Sequence, residues 1–319
     1  MTDMPLVTIV TPSFNQGMYI RETIESVLSQ DYPRIEYMVI DGGSTDSTLE
    51  VLRSYGDRFF WISEPDRGQS HAINKGFRHA SGEIVAWLNS DDVYLPGAVA
   101  ESAAFLQEHR EVDLVYGDAQ VIDEAGNIVL GTARSKPFGL PITLTQFSTL
   151  AQPTAFFRRR VLEQVGYLNE DLHYMMDVDL WIRIGLHGNG VYLPGARAQM
   201  RFHATSKSVT LETRFWAERK GVLDNLFARP GLPPEVLAVK QEAYAHCELY
   251  WGDNLLREGK RAEARPHLRY ALQTHPRPRR RFLALLLFAD ALLGTPFAPI
   301  GRRFRDAVEG PPPTWNPRK

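Results

Sequence analysis

The chain lacks several features that define common classes of protein. It has one cysteine, Cys247, among 319 residues, which excludes an internal disulfide framework and a zinc site built from cysteines. Its net charge of −2 gives no surplus of positive charge with which to bind nucleic acid. The first residues have neither the basic nor the apolar region of a signal peptide, and no apolar run approaches the roughly 20 residues of a membrane-spanning helix. These absences predict a cytoplasmic protein with no nucleic-acid partner.

Short apolar runs alternate with helical patterns in the first third of the chain. The predicted strands cover residues 6–11, 35–40, 59–63 and 84–88. This strand–helix alternation predicts a parallel sheet built from βαβ units, and therefore the α/β class. Farther along, the pattern predicts a loop rich in Pro and Gly over residues 136–141 and a short strand over residues 191–194.

Acidic side chains form three groups in a fixed order along the chain. They are Asp41, then Asp91 with Asp92, then Asp177 with Asp179. The first two groups follow predicted strands, and the carboxyl ends of parallel strands line the crevice where open α/β sheets bind ligands. Several carboxylates without matching cations favour a divalent metal ion and, through it, a phosphate. The arrangement predicts an enzyme that handles a nucleotide diphosphate.

Helical patterns dominate after about residue 210. Residues 243–276 resemble a single tetratricopeptide-like helical hairpin, because they have its length of about 34 residues, its small residues and its terminal proline. A simple pair of packed helices is the alternative. The sequence therefore predicts a first domain over residues 1–210, a helical extension over residues 211–310 and a disordered tail over residues 311–319.

A basic stretch precedes the most apolar helical pattern of this extension. Four arginines within residues 277–281 are followed by the apolar run of residues 282–294, and Arg302 and Arg303 come after it. A basic flank beside an apolar helix fits binding at an anionic membrane surface. We therefore predict peripheral membrane contact through residues 277–305. A buried terminal helix with a solvated basic edge is the alternative.

Four segments of the sequence together resemble the signature motifs of family 2 glycosyltransferases. They are VTIVTPSFNQ, EYMVIDGGSTDST, GEIVAWLNSDD and MMDVDLWIR, in that order, and the resemblance covers about residues 4–210. Four ordered motifs are far more specific than any one of them alone. The resemblance implies the GT-A fold, a Rossmann-like nucleotide-binding domain with a mostly parallel mixed sheet. It also implies an inverting transferase that moves a sugar from a nucleotide-diphosphate sugar, with a UDP-sugar favoured, to an acceptor hydroxyl.

The resemblance extends to bacterial enzymes of polysaccharide and O-antigen assembly. It implies a saccharide or lipid-linked acceptor, and a place on the inner face of the plasma membrane if the C-terminal helices contact lipid. Two other classes stay open. A sugar nucleotidyltransferase would need a Gly-rich loop with a nearby cation after the first strand, whereas TPSFNQG has no basic residue before Arg21. A degenerate domain acting as a scaffold is disfavoured because the chain has both Asp91 and Asp177.

The resemblance implies that the donor nucleotide lies against the loop after the first strand. Thr11, Pro12, Phe14 and Asn15 form this segment. Its backbone and the Thr11 hydroxyl can bond a base or ribose, and Phe14 can stack on a base. The alternative is a tight turn with Phe14 in the core.

Two further loops carry donor-binding residues by the same resemblance. Asp41 would accept hydrogen bonds from ring N–H groups or ribose hydroxyls. The family often has two acidic residues here, and in this chain the second is Gly42. Similar sequences have Asp66 and Arg67 near the nucleotide, where Arg67 could pair with phosphate or support Asp91.

The segment Asn89–Ser90–Asp91–Asp92 corresponds to the family's DxD element, with Asn89 in place of the first Asp. Asp91 would bind Mn²⁺ or Mg²⁺ directly, because hard cations take oxygen ligands and bridge diphosphate oxygens. Asn89, Ser90 and Asp92 would contact the donor or orient the ligand. His203 resembles part of the segment that closes over the diphosphate, and its imidazole could be a second metal ligand.

The same resemblance assigns the catalytic base and one more cation. Lys207 would hold phosphate oxygens, and Asp177 would take the proton from the acceptor hydroxyl. Asp179 lies two residues farther along, which on a helix is a divergence of about 200°. Both side chains therefore cannot face one substrate, and Asp179 is predicted to cap the helix or to bind Arg183.

Overall fold

The computed structural model describes residues 4–146, 149–204, 206–207 and 213–294, together with residues 299 and 303. The chain divides into two compact units, of which the first comprises Met1–Gly139 and Ser148–His203. The second comprises Leu140–Phe147 and Ala204–Lys319. The second unit thus includes a short segment that the sequence analysis assigned to the first domain. The predicted tail over residues 311–319 lies outside the described residues.

The first unit is built on a mixed sheet, which has nine strands within the described residues. In chain order they are β1 (Val7–Ser13), β2 (Ile35–Asp41), β3 (Phe60–Ser63), β4 (Ile84–Trp87), β5 (Val93–Tyr94), β6 (Leu114–Ile122), β7 (Ile128–Ala133), β8 (Phe156–Arg158) and β9 (Gly190–Arg201). Their order across the sheet is β3-β2-β1-β4-β8-β6-β9-β5, and β7 pairs with β6. β1 to β4 form a parallel block, whereas β5, β7 and β8 run antiparallel to their neighbours. The mixed sheet confirms the predicted α/β class.

The parallel block brings the ends of its strands to one edge of the sheet. Ser13 at the end of β1 pairs with Asp41 at the end of β2, and Asp41 pairs in turn with Ser63 at the end of β3. β4 runs beside β1 in the same direction and ends at Trp87, two residues before Asn89. The loops that follow these four strands therefore start side by side. We call this side of the sheet the carboxyl edge.

Helices cover both faces of the sheet in the first unit. They are α1 (Ile20–Leu28), α2 (Thr48–Arg53), α3 (Gln69–His79), α4 (Ala98–Glu108), α6 (Arg159–Val165) and α7 (Met176–His187), and α5 (Leu140–Thr145) belongs to the second unit. Successive strand residues point to opposite faces, so Ile9 joins the core under α1, α2 and α4, and Val10 joins the core under α3, α6 and α7. In that second core the Trp87 and Trp181 rings stack at 5.5 Å. This stacking fixes α7 against β4.

The structure corrects the strand predicted over residues 191–194. That strand is β9, which continues to Arg201. Gly195 lies inside it because the pairing with β6 shifts register on both sides of Asp118, whose carboxylate accepts a hydrogen bond from the Gly195 backbone N–H at 3.3 Å. The bulge lets β9 continue to a point two residues before His203. The predicted loop over residues 136–141 is also too long, because α5 begins inside it.

The second unit is helical. After α5 its helices are α8 (Thr213–Phe227), α9 (Pro234–Ala238), α10 (Lys240–Arg257), α11 (Arg261–Thr274) and α12 (Pro278–Leu293). α10 and α11 occupy the segment predicted as a helical hairpin, and they approach closely at Gly252, where an added Cβ would lie 2.5 Å from Cγ of Leu268. α12 packs against the same apolar core through Leu283 and Leu287. Of the helices that the structure describes, none combines the length and apolar character needed to cross a bilayer.

Candidate functional site

The loop after β1 separates buried backbone from an exposed aromatic ring. Thr11 is fully buried, with its hydroxyl 3.1 Å from the hydroxyl of Tyr37, and Pro12 is buried as well. Phe14 is 59% exposed. Its exposure excludes the alternative in which Phe14 belongs to the core. A stacking surface is therefore available at the carboxyl edge.

Asn15 connects the loops after β1 and β2. Its backbone is left-handed, with φ of 52°, a conformation that asparagine tolerates better than most residues. Its N–H donates to Oγ of Ser44 at 2.7 Å, and its side-chain oxygen accepts from the Thr45 N–H at 2.9 Å. These two bonds lock the loops together next to Phe14.

Asp41 organises the loop that follows β2. Its carboxylate is buried and accepts hydrogen bonds from the N–H groups of Gly43 and Ser44, and from the hydroxyls of Ser44 and Ser63. Four bonds to one carboxylate fix the turn and join the ends of β2 and β3. The Asp41 side chain therefore shapes the carboxyl edge from beneath its surface.

Asp66 fills the space beside Gly42. A Cβ built on Gly42 would lie 2.6 Å from Oδ2 of Asp66, so no larger residue fits at position 42 while Asp66 holds this position. The other carboxylate oxygen, Oδ1, accepts a hydrogen bond from the Gly68 N–H at 2.7 Å. A carboxylate from the loop after β3 thus lies beside position 42, where the resemblance implied a second acidic side chain.

Arg67 was predicted either to pair with phosphate or to support Asp91. The structure shows no pairing between Arg67 and Asp91. The Arg67 side chain is 70% exposed, and its guanidinium forms an ion pair with Glu170. Glu170 also accepts a hydrogen bond from the amide of Asn74 at 3.0 Å. The pair links the loop after β3 to the segment that leads into α7.

Asn89 is the centre of a network of amides. Its oxygen accepts from the Gln69 amide at 2.7 Å, and its nitrogen donates to Oε1 of Gln152 at 3.0 Å and to Oδ2 of Asp92 at 3.2 Å. An aspartate at this position could not donate to Asp92 or Gln152, since a carboxylate only accepts. The network explains why position 89 is an asparagine, where the DxD element has an aspartate.

Asp91 and His203 face each other at the carboxyl edge. Oδ2 of Asp91 lies 3.0 Å from Nε2 of His203, and the two side chains are 20% and 4% exposed. Within the described residues, no cluster of three or more His, Cys, Asp or Glu side chains could hold a metal ion unaided. The pair nevertheless fits a hard divalent ion that arrives with a nucleotide, because such ions take one or two protein ligands and complete their coordination with phosphate and water.

Arg201 holds the Asp91–Asp92 turn in place from β9. Its backbone N–H donates to Oδ1 of Asp92 at 3.0 Å, and its Nε–H donates to the Asp91 carbonyl at 3.0 Å. Its guanidinium lies 5.1 Å from the centre of the Tyr19 ring, and that ring lies 5.0 Å from the His203 ring. Both proposed metal ligands are therefore oriented by one buried arginine and one tyrosine.

Asp92 lies beneath the surface, as does Ser90. Burial, and then the neighbouring charge of Asp91, raise the pKa of the Asp92 carboxyl well above its usual value, although the hydrogen bonds from Arg201 and Asn89 act in the opposite direction. Asp92 thus has no free surface from which to reach a ribose, and its contacts position Asp91.

Asp177 lies in the first turn of α7 and is half-buried. The preceding residue, Met176, has its sulfur 2.9 Å from the hydroxyl of Ser70. Ser70 follows Gln69, which bonds Asn89. This chain of contacts brings the start of α7 close to the loop that carries Asp91.

Asp179 points away from Asp177, as the helical spacing predicts. Its carboxylate forms an ion pair with Arg183 at 2.9 Å. Arg183 also donates to the carbonyls of Val165 and Gly166, each at 2.8 Å. Asp179 therefore joins α7 to the end of α6, and the predicted contact between Asp179 and Arg183 is confirmed.

Three residues that build the site were not among the predicted site residues. Gln69 and Gln152 hold Asn89, and Arg201 holds the acidic turn. Arg201 lies two positions before His203, the spacing of side chains on one side of an extended segment, and this was the available signal. Lys207, which was predicted to bind phosphate, is an exposed residue of the second unit.

The sequence matches known glycosyltransferases over the first unit. Residues 8–166 match the profile described as Glycosyl transferase family 2. A Mycobacterium bovis protein named PGL/p-HBAD biosynthesis glycosyltransferase is 31% identical over 184 residues, which are 56% of this chain and 69% of that protein. The chain belongs to glycosyltransferase family 2. It spans 28% to 62% of the length of the Rickettsia relatives that it also matches.

Solved structures share the fold over nearly the whole chain. S. aureus TarS residues 1–349, solved in complex with UDP-GlcNAc, match with a TM-score of 0.65 at 17% identity, covering 98% of this chain and 94% of that one. The mannosyltransferase PcManGT from Pyrobaculum calidifontis, solved with GDP-Man and Mn²⁺, matches with a TM-score of 0.62 at 20% identity, covering 97% and 88%. These likenesses confirm the predicted GT-A fold.

Proposed function

We propose that this protein transfers a sugar from a nucleoside-diphosphate sugar to an acceptor hydroxyl, with inversion at the anomeric carbon and with the aid of Mn²⁺ or Mg²⁺. The observation that carries the proposal is the pair of Asp91 and His203, 3.0 Å apart at the carboxyl edge. An oxygen and a nitrogen ligand in this position would suit a divalent ion that is bound together with a diphosphate. Membership of family 2 supports the same reaction class.

The donor nucleotide would lie across the loops after β1, β2 and β3. Phe14 offers an exposed face for stacking on the base, which typically contributes about 1–3 kcal/mol. The loop of Gly42 and Gly43, which Asp41 fixes from below, lets the ligand approach the backbone closely. We propose UDP as the nucleotide. The similarity to the TarS structure solved with UDP-GlcNAc supports this choice. GDP is the alternative, because the similar PcManGT structure was solved with GDP-Man.

Asp66 supplies the second carboxylate of the donor pocket in this proposal. Replacing Asp66 with Ala is expected to raise the Kd for UDP about tenfold or more, because a hydrogen bond to a charged group contributes about 1.5–3 kcal/mol. Adding Gly42→Asp to Asp66→Ala should recover part of the affinity, since the space beside position 42 is then free. Isothermal titration calorimetry measures both.

The exposed Asp57 gives a matched control, and Asp57→Ala should bind UDP like the wild type. Two results would contradict the assignment of Asp66. One is unchanged affinity in Asp66→Ala. The other is a double variant that binds no better than Asp66→Ala alone.

The transfer step itself needs one proton acceptor from the protein. The acceptor oxygen forms a bond to the anomeric carbon while the bond from that carbon to the diphosphate oxygen breaks, and the bonding electrons leave with the nucleoside diphosphate. Asp177 takes the proton of the acceptor hydroxyl. A carboxylate is too weak a base to remove that proton beforehand, so the proton moves within the transition state.

Asp91 and His203 would hold the divalent ion, and Arg201 and Asn89 would keep Asp91 in position. When bound, the ion neutralises negative charge on the departing diphosphate. The chain's own contribution is to hold its ligands at a fixed separation, because buried hydrogen bonds from β9 set the Asp91 turn.

The acceptor is proposed to be a saccharide or a lipid-linked saccharide of cell-surface polysaccharide or glycolipid synthesis. The support is the similarity to a relative named for PGL/p-HBAD biosynthesis. The proposed place of action is the cytoplasmic side of the plasma membrane, where such acceptors are exposed to nucleotide sugars.

A nucleotide panel tests the proposed function. Thermal unfolding would be followed with UDP, GDP, dTDP and CMP, each with and without Mn²⁺. A ligand at 100 times its Kd adds about 2.7 kcal/mol to the free energy of unfolding, so a metal-dependent rise in Tm with UDP is expected. A rise of equal size without Mn²⁺, or none with any nucleoside diphosphate, would contradict the proposal.

A further inference from the structure

Helix α12 has an apolar surface on its outer side as well as its inner side. Its inner residues, such as Leu283 and Leu287, are buried in the core that α12 shares with α10 and α11. Four large apolar side chains point outward, and they are Phe282 at 46%, Leu285 at 47%, Leu292 at 50% and Leu293 at 68% exposure. At about 100° per residue these four fall within an arc of about 100°. We call them the outer stripe.

The outer stripe is concentrated compared with the rest of the second unit. Among the described residues of that unit, the other exposed large apolar side chains are Leu237 and Tyr270, which lie on separate helices. Scattered exposed residues of that kind are ordinary, whereas a continuous apolar strip marks an interaction surface. Because the inner face of α12 is already packed, only the outer stripe can meet a partner.

Arginines surround the outer stripe. Arg277, Arg279 and Arg281 are exposed at the start of α12. Two arginines of α11 lie along the side of α12. Arg265 donates to the Ala291 carbonyl at 3.1 Å, and Arg269 has its guanidinium carbon 5.9 Å from the centre of the Phe288 ring. Long cationic side chains beside an apolar strip are typical of helices that lie in the interface of an anionic membrane.

Acidic residues of α12 itself do not offset this charge, although Glu242 of α10 pairs with Arg277 at 2.6 Å. The one acidic residue of α12, Asp290, is buried and lies 3.6 Å from Arg261. If two copies of the chain met through their outer stripes, the arginines of both copies would come together. No exposed carboxylate on α12 would be there to pair with them. Charge complementarity therefore favours a phospholipid surface over self-association.

We propose that α12 docks the protein on anionic phospholipid, with the outer stripe inserted among the acyl chains and the arginines at the headgroups. The helix axis lies parallel to the membrane plane, because the opposite face of α12 stays packed on α10 and α11. Docking of this kind requires no change in the fold of the second unit. It holds independently of the proposed transfer reaction.

Vesicle sedimentation with the full chain tests the docking. The protein would be mixed with vesicles of phosphatidylcholine alone, or with vesicles that also contain phosphatidylglycerol. We expect it to sediment with the anionic vesicles and to remain in solution with the neutral ones. Each arginine near the surface is worth about a fivefold change in partition, so Arg279→Glu should weaken binding at least fivefold, and added salt should do the same.

The outer stripe has a matched control. Leu285→Glu with Leu292→Glu should abolish sedimentation, whereas Leu237→Glu on α9 should not, although Leu237 is as exposed as Leu292. All three leucines are exposed, and unfolding curves would verify that the variants fold. If the double variant fails to fold, Arg279→Glu alone decides.

Two outcomes would overturn the docking proposal. In the first, the stripe variant sediments with anionic vesicles as well as the wild type does. In the second, the wild type binds no vesicles and is a dimer by light scattering, and the stripe variant is a monomer. That result would assign the outer stripe to a second copy of the chain.

Discussion

Replacing Asp177 with Asn is expected to lower glycosyl transfer about 10²–10⁴-fold, the usual contribution of a positioned general base. The amide has the same shape as the carboxylate but cannot accept the proton of the acceptor hydroxyl. Because Asp177 lies in the first turn of α7, and the helix is fixed through Met176 and Trp181, the fold should be unaffected. Binding of UDP should stay within about twofold, since the donor loops belong to other elements. Release of nucleoside diphosphate, measured with the donor that the panel identifies, gives the rate.

Asp179 provides the control because it is two residues away on the opposite side of the same helix. Asp179→Asn removes the 2.9 Å ion pair with Arg183 and should lower Tm. Its turnover per folded molecule should stay close to that of the wild type. Equal loss of turnover in the Asp177 and Asp179 variants, with both folded, would contradict the assignment of the base. A chain that acts as a scaffold would tolerate Asp177→Asn in every assay.

The parallel half of the sheet could be predicted from the sequence because each strand there is a short apolar run that ends in a turn. Buried parallel strands need such runs because both of their faces are covered, and the shortness of the runs and the turns that bound them favour strands over buried helices. The same logic located Asp41 and Asp91, since a residue that follows a parallel strand necessarily lies at the carboxyl edge. The pairing of Asp179 with Arg183 followed from helical spacing alone.

Other parts of the site depend on contacts between distant segments. Pro194 and Gly195 read as the end of a strand, yet β9 continues past them because the register with β6 shifts around Asp118. Such a bulge depends on the pairing with the neighbouring strand, and the local sequence alone does not reveal that pairing. The sequence at Gly42 likewise suggests a binding pocket that lacks one carboxylate. The structure shows the Asp66 carboxylate beside position 42.

Asp91→Asn is expected to remove the metal-dependent part of nucleotide binding. A carboxylate ligand contributes charge as well as an oxygen, and even the partners that merely orient a metal ligand are worth 10–100-fold in affinity. The Kd for UDP in Mn²⁺ should therefore rise about a hundredfold or more. The Kd without metal should change little. Calorimetric titrations of UDP with and without Mn²⁺ measure the two quantities.

The same variant should be at least as stable as the wild type in the absence of ligands. Asp91 lies beside the buried Asp92, and its charge is one of the causes that raise the pKa of that carboxyl. Removing the Asp91 charge removes one of the costs of ionising Asp92, a cost of a kind that binding sites commonly carry, and the amide oxygen can still accept a hydrogen bond from His203. Tm without ligand should therefore stay equal or increase while metal-dependent binding is lost.

His203→Gln distinguishes a metal ligand from a purely structural histidine. His203 is buried and contacts the Tyr19 ring, so a structural role predicts a lower Tm with unchanged dependence on Mn²⁺. A ligand role predicts weaker binding of UDP in Mn²⁺ and no change without it. If Asp91→Asn keeps the full effect of Mn²⁺ on UDP binding, the ion binds elsewhere. The Asp91–His203 pair would then be a buried hydrogen bond that only shapes the carboxyl edge.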